Sequence, residues 1–254
     1  MMLPCHAVIV TAAGSSTRFN ASCGSASGSA SGARVKKEFL RIGDEPVLAM
    51  ALRPFLNVPG LKVVAVTYRH GDMEEVKSIV EPLVDDFRAA GRFPENLPEV
   101  LYVKGGSTRR QSVFNALKAL DECIFHDDIK LVSIHDGARP FVSTDLVHDC
   151  LEAAEAHGGA CPCIRVTDTL VRVGEDGLLS SGISRDGVCT VQTPQTFRFP
   201  DICSAHLAAD PGRDYTDDTG IFMDWGGKVA FVQGDAANRK ITYSSDLDAS
   251  EVVR

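Results

Sequence analysis

The stretch Ala7-Val-Ile-Val-Thr-Ala-Ala-Gly-Ser-Ser-Thr-Arg18 joins an apolar run to a loop of small residues that ends in an arginine. Residues 7–13 predict a buried strand, because a short apolar run bounded by turn residues suits the interior of a parallel sheet. Small residues after such a strand let backbone N–H groups approach an anion closely. Arg18, together with Lys37 downstream, supplies the positive charge that a polyphosphate needs. The segment therefore favours nucleotide chemistry.

Further apolar runs alternate with segments of helical periodicity along the chain. Strands are predicted at residues 62–68, 99–103, 130–135, 160–166 and 228–233, and helices at residues 46–57, 72–90, 108–122 and 144–157. Alternation of this kind predicts an α/β fold with a mostly parallel sheet flanked by helices.

Composition limits the class of protein. The 254 residues, 44% of them hydrophobic, fit a single domain over residues 1–254 with a sizeable core. A formal charge of -8 argues against nucleic acid as a partner. No secretory signal and no apolar run of ~18 residues is visible, so we expect a cytoplasmic protein without a membrane partner. The eight cysteines form no CxxC pair, which predicts neither a zinc site nor a disulfide framework.

Two segments interrupt the alternation. Residues 21–33 contain only Ser, Ala, Gly and one Cys, which predicts a mobile loop insertion at residues 20–34 beside the site. Residues 169–173 and 188–192 each alternate in polarity, and a Gly-rich turn at residues 174–177 follows the first of them. This pattern predicts a long β-hairpin within residues 168–194 that forms an arm at about 168–190.

A second cluster of candidate residues follows the strand at 99–103. Gly105-Gly106-Ser107-Thr108-Arg109-Arg110 can form a β-to-α turn in which Ser107 or Thr108 caps the next helix. Two arginines in a first helical turn oppose the helix dipole, so we expect a compensating anion there. The alternative is an ordinary β-to-α turn, followed by a helix whose first turn is basic.

A third cluster, His135-Asp136-Gly137-Ala138-Arg139-Pro140, directly follows a predicted strand. Ligands of parallel α/β sheets gather at the carboxyl ends of strands, where Asp136 and Arg139 are expected. A carboxylate there can bind sugar hydroxyls or a metal, and an arginine can bind phosphate. A structural Asp–Arg pair is the alternative. Lys240 ends a β-like segment and can point into the same cleft as Arg18. Thr216, which precedes two acidic residues, is predicted to cap a helix.

Neither the G-x-G-x-x-G fingerprint nor the P-loop motif is present, which argues against both of these nucleotide-binding classes. The ordered motifs instead resemble the family of 2-C-methyl-D-erythritol 4-phosphate cytidylyltransferases. The resemblance rests on Ala12-Ala13-Gly14 with Arg18, Lys37-Glu38-Phe39-Leu40, Gly105 to Ser112, His135 to Pro140, Asp168-Thr169, Thr193-Pro194-Gln195 and Asn238-Arg239-Lys240.

This resemblance implies a Rossmann-like nucleotidyltransferase fold and transfer of a cytidylyl group from CTP to a polyol phosphate. It also implies Mg²⁺ held mainly by the CTP phosphates, direct attack without a covalent intermediate, and a homodimer formed through the arm. From the length of 254 residues we expect no fused second enzyme of the pathway.

Site residues are carried over by motif position. The catalytic residues are expected to be Arg18, Lys37, Arg185 and Lys240. The CTP-binding residues are expected to be Ala12, Ala13, Gly14, Gly106, Ser107, Ser112 and Gly137. The acceptor is expected to contact Asp136, Arg139, Thr169 and Thr193, and no protein ligand of the metal is predicted.

Three alternatives remain open at this point. A ribitol-5-phosphate cytidylyltransferase shares the CTP-side motifs and differs in its acceptor. A nucleotide-dependent oxidoreductase would use a similar sheet, although its fingerprint is missing. A catalytically inactive sugar-phosphate sensor would have no need to retain Arg18, Lys37, Arg185 and Lys240.

Overall fold

An eight-stranded sheet forms the centre of the computed structural model, which describes residues 3–22, 35–92 and 98–248. The strands are β1 His6–Ala12, β2 Arg41–Ile42, β3 Glu45–Pro46, β4 Leu61–Tyr68, β5 Glu99–Lys104, β6 Leu131–Asp136, β7 Gly159–Arg165, β8 Leu170–Val173, β9 Leu179–Ile183, β10 Cys189–Val191, β11 Gln195–Arg198 and β12 Val229–Gln233. The helices are α1 Thr17–Ser22, α2 Val47–Leu56, α3 Met73–Ala89, α4 Arg109–Asp121, α5 Thr144–His157, α6 Phe199–Ala208, α7 Asp218–Asp224 and α8 Ser245–Asp248, and Lys37–Phe39 form a 3₁₀ helix.

The order of strands across the sheet is β10-β7-β11-β6-β1-β4-β5, and β12 pairs with β7. Strands β6, β1, β4 and β5 are parallel to one another. Strand β11 runs antiparallel between β6 and β7, and β10 is antiparallel to β7. The predicted α/β class with a mostly parallel sheet is confirmed, and its four-stranded parallel part aligns the carboxyl ends of four strands at one edge.

Helices cover both faces of this sheet. Val8 and Val10 of β1 belong to a core cluster with residues of α2, α3 and α5, whereas Ala7 and Ile9 belong to a second cluster with residues of α4, α6 and α7. All four side chains are fully buried. Burial of a Val or Ile side chain stabilises the fold by about 1.5–3 kcal/mol. The apolar run that opens the chain is thus a strand buried on both faces.

The predicted hairpin within residues 168–194 is wrong in its second strand. Strand β8 pairs with β9, whereas residues 188–192 contain β10, which pairs with β7 of the central sheet. The turn is the predicted one, since Gly174 N–H donates to the carbonyl of Leu178 at 2.9 Å. Alternating polarity identifies a strand but carries no information on its partner. The arm that remains, residues 167–187, has no buried residue.

The predicted insertion at residues 20–34 lies mostly outside the described residues, which resume at residue 35. Its first three residues belong to α1. Among the described helices, none combines the length and the apolar character that a bilayer span requires.

Candidate active site

A cavity of about 570 Å³ opens at the carboxyl ends of β6, β1, β4 and β5. It is lined by Thr11, Ala13, Gly14, Ser15, Ser16, Thr17, Arg18, Phe19, Lys37, Glu38, Thr67, Arg69, Gly106, Ser107, Thr108, Arg109, Ser112, Asp136, Ala138, Lys240 and Thr242. This is the edge at which α/β sheets bind ligands, because the loops that follow parallel strands converge there.

The cavity brings together most of the residues that the sequence predicts for the site. Nine of them line it: Ala13, Gly14, Arg18, Lys37, Gly106, Ser107, Ser112, Asp136 and Lys240. Ala12, Gly137, Arg139 and Thr193 lie outside this lining, and Ala12 is a fully buried residue of β1. Thr169 and Arg185 are exposed on the arm. The individual roles of all these residues stay predictions.

The loop after β1 is tied to the segment that carries Lys37. Ser16 has a positive φ of 51°, a conformation that L-residues other than glycine seldom adopt. Its hydroxyl donates to Glu38 Oε2 at 3.3 Å and accepts from the Lys37 backbone N–H at 3.4 Å. These contacts hold the small-residue loop, which ends at Arg18, against the 3₁₀ helix.

Lys37 is a buried cation on the cavity wall. Its Nζ donates to the carbonyl of Ile241 at 2.6 Å. Burial lowers the pKa of Lys37, and the negative charge of Glu38 opposes this effect. Burial also raises the pKa of Glu38. An incoming phosphate therefore meets a partly desolvated cation, for which an anion is a stronger partner than it would be in water.

Asp136, at the end of β6, is surrounded by three cations. Lys240 Nζ lies 2.8 Å from its Oδ2, Arg109 Nε lies 3.5 Å from its Oδ1, and Arg139 Nε lies 3.6 Å from its Oδ2. Burial alone would raise the pKa of Asp136, but these cations hold it far below its ordinary value. The carboxylate stays ionised and fixes the direction of Lys240. The predicted Asp–Arg pair is present within a larger network.

The anion that we expected beside the basic first turn of α4 is a carboxylate of the protein itself, Asp218. Arg109 Nη1 lies 2.6 Å from Asp218 Oδ2, and His206 Nε2 lies 3.1 Å from Asp218 Oδ1. Burial would lower the pKa of Arg109, whereas the carboxylates of Asp218 and Asp136 raise it. The positive charge of Arg109 is therefore balanced by two carboxylates of the same chain and does not require a bound anion.

Neither Asp218 nor His206 is predicted as a site residue from the sequence. The acidic pair that contains Asp218 is visible in the sequence, but it is interpreted there as the first turn of a helix capped by Thr216. That cap prediction is wrong by one position. Asp217 caps α7, because its Oδ1 accepts the Gly220 N–H at 2.9 Å. Thr108 caps α4 as predicted, accepting from Gln111 N–H at 3.1 Å.

Thr193 and Arg139 lie outside the cavity lining, and both contact Asp136. Thr193 Oγ1 accepts the Asp136 N–H at 3.1 Å and lies 2.9 Å from His135 Nδ1. Arg139 Nη1 donates to the carbonyl of Asn238 at 2.8 Å. Burial lowers the pKa of His135 to about 4, so its ring is neutral at pH 7. These contacts hold the segments that carry Asp136 and Lys240.

Metal-binding chemistry is scarce at the cavity. Its two carboxylates are Asp136, paired with cations, and Glu38, which is buried beside Lys37. In the described part of the chain, a single group of three residues has ligand atoms close enough together for a metal ion: His148, Asp149 and Glu152, on α5 and outside the cavity lining. The donor set of the cavity suits a metal that arrives with a polyphosphate, because Mg²⁺ commonly binds through substrate phosphates.

Comparison with known proteins identifies the family. Residues 6–253 match the family model described as IspD: 2-C-methyl-D-erythritol 4-phosphate cytidylyltransferase. This chain belongs to the IspD family. The resemblance that the motifs indicated is thereby confirmed, and the match favours the methylerythritol enzymes over the ribitol-5-phosphate alternative.

Curated relatives of this IspD family member are of two lengths. A bifunctional enzyme IspD/IspF of Rhizorhabdus wittichii is 36% identical over 248 residues, which are 98% of this chain and 56% of the relative. A 2-C-methyl-D-erythritol 4-phosphate cytidylyltransferase of Clostridium acetobutylicum is 34% identical over 227 residues, 87% of this chain and 92% of that one. This chain thus spans about half the length of the bifunctional relatives that it matches.

Solved structures of the IspD family share the fold. The 4-diphosphocytidyl-2C-methyl-D-erythritol synthase of Anaerococcus prevotii is 26% identical with a TM-score of 0.74, and the match covers 98% of this chain and 95% of that one. The 2-C-methyl-D-erythritol 4-phosphate cytidylyltransferase of Thermus thermophilus is 29% identical with a TM-score of 0.69, and the match covers 96% of both chains.

Proposed function

We propose that this protein transfers the cytidylyl group of CTP to 2-C-methyl-D-erythritol 4-phosphate and releases pyrophosphate. The product is 4-diphosphocytidyl-2-C-methyl-D-erythritol, an intermediate of isoprenoid biosynthesis. Membership of the IspD family supports this assignment. We also propose a cytoplasmic location, because both substrates are multiply charged and do not cross a bilayer unaided.

The observation that carries the proposal is the convergence of Arg18, Lys37 and Lys240 on one cavity at the end of a parallel sheet. Cytidylyl transfer needs positioned cations more than a protein nucleophile, because negative charge accumulates on the phosphate oxygens in the transition state. Within the described residues Arg18 has no carboxylate partner, so its charge is available to a ligand.

In the proposed reaction an oxygen of the acceptor phosphate attacks the α-phosphorus of CTP. A new oxygen–phosphorus bond forms, the bond from the α-phosphorus to the bridging β-phosphate oxygen breaks, and pyrophosphate leaves with the electron pair. Lys37 and Arg18 stabilise the charge on the transferring phosphoryl group and on pyrophosphate. Lys240, directed by Asp136, orients the attacking phosphate.

We propose that Mg²⁺ enters with CTP. Such an ion would supply positive charge that offsets part of the negative charge on the phosphate oxygens. The hydroxyls of Ser15, Ser16 and Thr17 lie on the cavity wall beside Arg18 and can bind the water shell of such an ion. Calorimetric titration with MgCl₂ alone is expected to give no saturable heat, whereas CTP with MgCl₂ gives one binding event per chain.

The decisive experiment is a panel of acceptors assayed by pyrophosphate release with CTP and MgCl₂. Turnover is expected with 2-C-methyl-D-erythritol 4-phosphate, and mass spectrometry should find the cytidine diphosphate product. Ribitol 5-phosphate serves as the competing acceptor. Turnover with ribitol 5-phosphate alone would overturn the proposal. Binding of CTP without turnover of any acceptor would indicate an inactive sensor.

We further propose a homodimer in which the arm of one copy reaches the cavity of the other. Arg185 lies on the arm and outside the cavity lining of its own chain, so it needs a second cavity to act on CTP. The arm also exposes apolar side chains that a partner could cover: Val173, Leu178 and Leu179 are 65–72% exposed.

Mixing two inactive variants tests this arrangement. Dimers that combine an Arg18→Ala chain with an Arg185→Ala chain hold one cavity with both arginines intact. Activity is therefore expected to return in the mixture, approaching half the wild-type rate per mixed dimer. Mixed dimers that form but stay inactive would refute a shared site.

A further inference from the structure

Asp218 is a buried carboxylate that is connected to the cavity through one arginine. Its side chain is fully buried at the start of α7 and lies outside the cavity lining. Arg109 Nη1 lies 2.6 Å from its Oδ2, and Arg109 lines the cavity with 27% of its side chain exposed. Burial would raise the pKa of Asp218, but Arg109 and His206 hold it below its ordinary value. Asp218 is therefore a permanently charged partner of Arg109.

Two further contacts fix the position of Asp218. His206 Nε2 lies 3.1 Å from its Oδ1, and the ring of this buried histidine stacks on Phe114 with an interplanar angle of 3°. The backbone N–H of Asp218 donates to Gln195 Oε1 at 3.0 Å, and Gln195 is only 1% exposed. The carboxylate is held from the side opposite Arg109, so it cannot follow the arginine if the arginine moves.

Arg109 joins this fixed carboxylate to Asp136. Its Nη1 contacts Asp218, and its Nε lies 3.5 Å from Asp136 Oδ1. The guanidinium is planar and rigid, so the end that Asp218 holds determines where Nε lies. The second oxygen of Asp136, Oδ2, lies 2.8 Å from Lys240 Nζ. One carboxylate thus faces Arg109 with one oxygen and Lys240 with the other.

The distances show how Asp136 is shared between its cations. Arg109 makes its short contact with Asp218 at 2.6 Å and only a loose one with Asp136 at 3.5 Å. Lys240 contacts Asp136 at 2.8 Å, and Arg139 Nε lies 3.6 Å from the same oxygen. Without the charge of Asp218, Asp136 would be the remaining carboxylate beside Arg109 and would attract it more closely. Asp136 would then hold Lys240 less firmly.

We propose that Asp218 is a positioning residue that acts through Arg109 and Asp136 to fix the Lys240 ammonium in the cavity. The inference rests on the proposed function, in which Lys240 meets the acceptor phosphate. Because Asp218 lies outside the cavity lining, it acts without touching a substrate. Loss of its charge should therefore impair the use of the acceptor and leave the binding of CTP almost unchanged.

Chemical labelling of Lys240 without any substrate tests its position directly. Brief acetylation with acetic anhydride, followed by mass spectrometry, gives the reactivity of each lysine. An amine held by a carboxylate reacts slowly, so Asp218→Asn should raise the labelling rate of Lys240 about 3- to 10-fold, as expected when a charged hydrogen bond is weakened. Lys77, which pairs with Glu74 on α3, is the internal control and should keep its rate.

Two more variants separate positioning from loss of stability. Val80→Ala removes packing from a fully buried site on α3, so it also destabilises the fold but should leave the labelling of Lys240 unchanged. Arg109→Lys keeps the positive charge and loses the rigid fork that spans two carboxylates, so it should raise the labelling rate as Asp218→Asn does. Arg109→Lys supplies the test if Asp218→Asn does not fold.

Steady-state kinetics give a second readout. Asp218→Asn should lower kcat/KM for methylerythritol phosphate about 10- to 100-fold, the effect of a misplaced catalytic group, with a rise in the KM for this acceptor. The Kd of CTP, measured by calorimetry with MgCl₂, should stay within about threefold of wild type. A purely structural role would reduce the fraction of active protein and leave the KM unchanged. In a Lys240→Met background, Asp218→Asn should have little further effect, because the residue through which it acts is missing.

Three outcomes would overturn the inference: unchanged labelling of Lys240 in folded Asp218→Asn protein, an unchanged KM for the acceptor, or an equal loss of kcat/KM with and without Lys240. A wild-type protein that turns over no methylerythritol phosphate would refute the proposed function instead. The labelling experiment needs no substrate, so it would still decide whether Asp218 fixes Lys240.

Discussion

At the cavity edge, several charged side chains are buried and paired within one chain, whereas on the arm, residues 167–187, charged and apolar side chains alike lack full burial. Asp136 and Asp218 are both buried, and each contacts at least one cation. On the arm, Leu178 and Leu179 are about 70% exposed, and Arg185 donates to the carbonyl of Thr167 beside it.

The difference shows which parts of the site a single chain completes. Removing a buried charge from its partner is costly, and the buried charges Asp136 and Asp218 have their partners within the chain. The arm is stabilised within the chain mainly by its own hairpin contacts. Substitutions in the two regions should therefore change different quantities.

The largest effect on stability is expected for Asp218→Asn. The substitution leaves the partly buried Arg109 beside a neutral amide, with Asp136 as its remaining carboxylate, and should cost up to about 3 kcal/mol. Urea unfolding measures this loss. Asp85→Asn, which breaks an exposed pair with Arg88, is the control and should stay within about 0.5 kcal/mol. Equal losses of unfolding free energy in the two variants would show that the Asp218 pair stabilises the fold no more than the exposed Asp85 pair does.

The largest effect on activity is expected for Lys37→Met. Loss of one preorganised cation should lower kcat about 10²- to 10³-fold. Steady-state pyrophosphate release measures the rate. Lys77→Met, which changes a lysine of α3 paired with Glu74, is the control. A Lys37→Met protein with wild-type kcat would remove this residue from the mechanism.

Stability at the cavity edge should also depend on pH through His135. Its pKa is about 4 in the folded protein and 6.5 in the unfolded chain, so the unfolded state binds a proton first as the pH falls. The stabilisation is complete above pH 6.5 and is lost progressively down to about pH 4, a change of about 3 kcal/mol. Urea unfolding at pH 7 and pH 4.5 measures it.

His135→Gln should flatten this pH dependence more than His148→Gln, which changes a half-exposed histidine of α5. His6 is also buried with a pKa of about 4, so part of the dependence will remain in the His135 variant. An identical slope in wild-type and His135→Gln proteins would contradict the assignment.

A smaller effect is expected at the start of α4. Thr108→Ala removes the cap that accepts the Gln111 N–H and should cost about 1 kcal/mol in urea unfolding. The cavity wall includes Thr108, so a modest rise in the KM for CTP should accompany the loss. Ser181→Ala on the arm is the matched control. A Thr108→Ala protein as stable as this control would argue that the cap is dispensable.

The smallest effect on the stability of the isolated chain is expected on the arm. Leu179→Ser replaces a side chain that is 72% exposed and should change the unfolding free energy of the monomer by less than about 0.5 kcal/mol. In the proposed dimer, the same change should raise the dissociation constant, as measured by sedimentation at several concentrations. An unaltered dimer would place the interface elsewhere.

Local sequence pattern predicted most of the regular structure. Strand β1 was predicted at residues 7–13 and spans His6–Ala12, and α5 was predicted and found at Thr144–His157. Helix α6 and strand β11 were not predicted, because they are short and follow one another without a long periodic segment. Helix α7 was predicted only through its cap, which was placed one position early at Thr216. The cations Arg18, Lys37 and Lys240 were predicted to share a cleft, and all three line the cavity.

Periodicity and residue type are local properties, and they were enough to predict the strands, the loops of small residues and the cations that follow them. The pairing of the charges is a property of the folded chain. Asp218 lies 109 positions from Arg109, and Asp72 lies 36 positions from Lys36. Pairing of buried charges depends on the approach of distant segments, and the same holds for the partner of β10. The charges left unpaired in the cavity could be recognised only once those contacts were known.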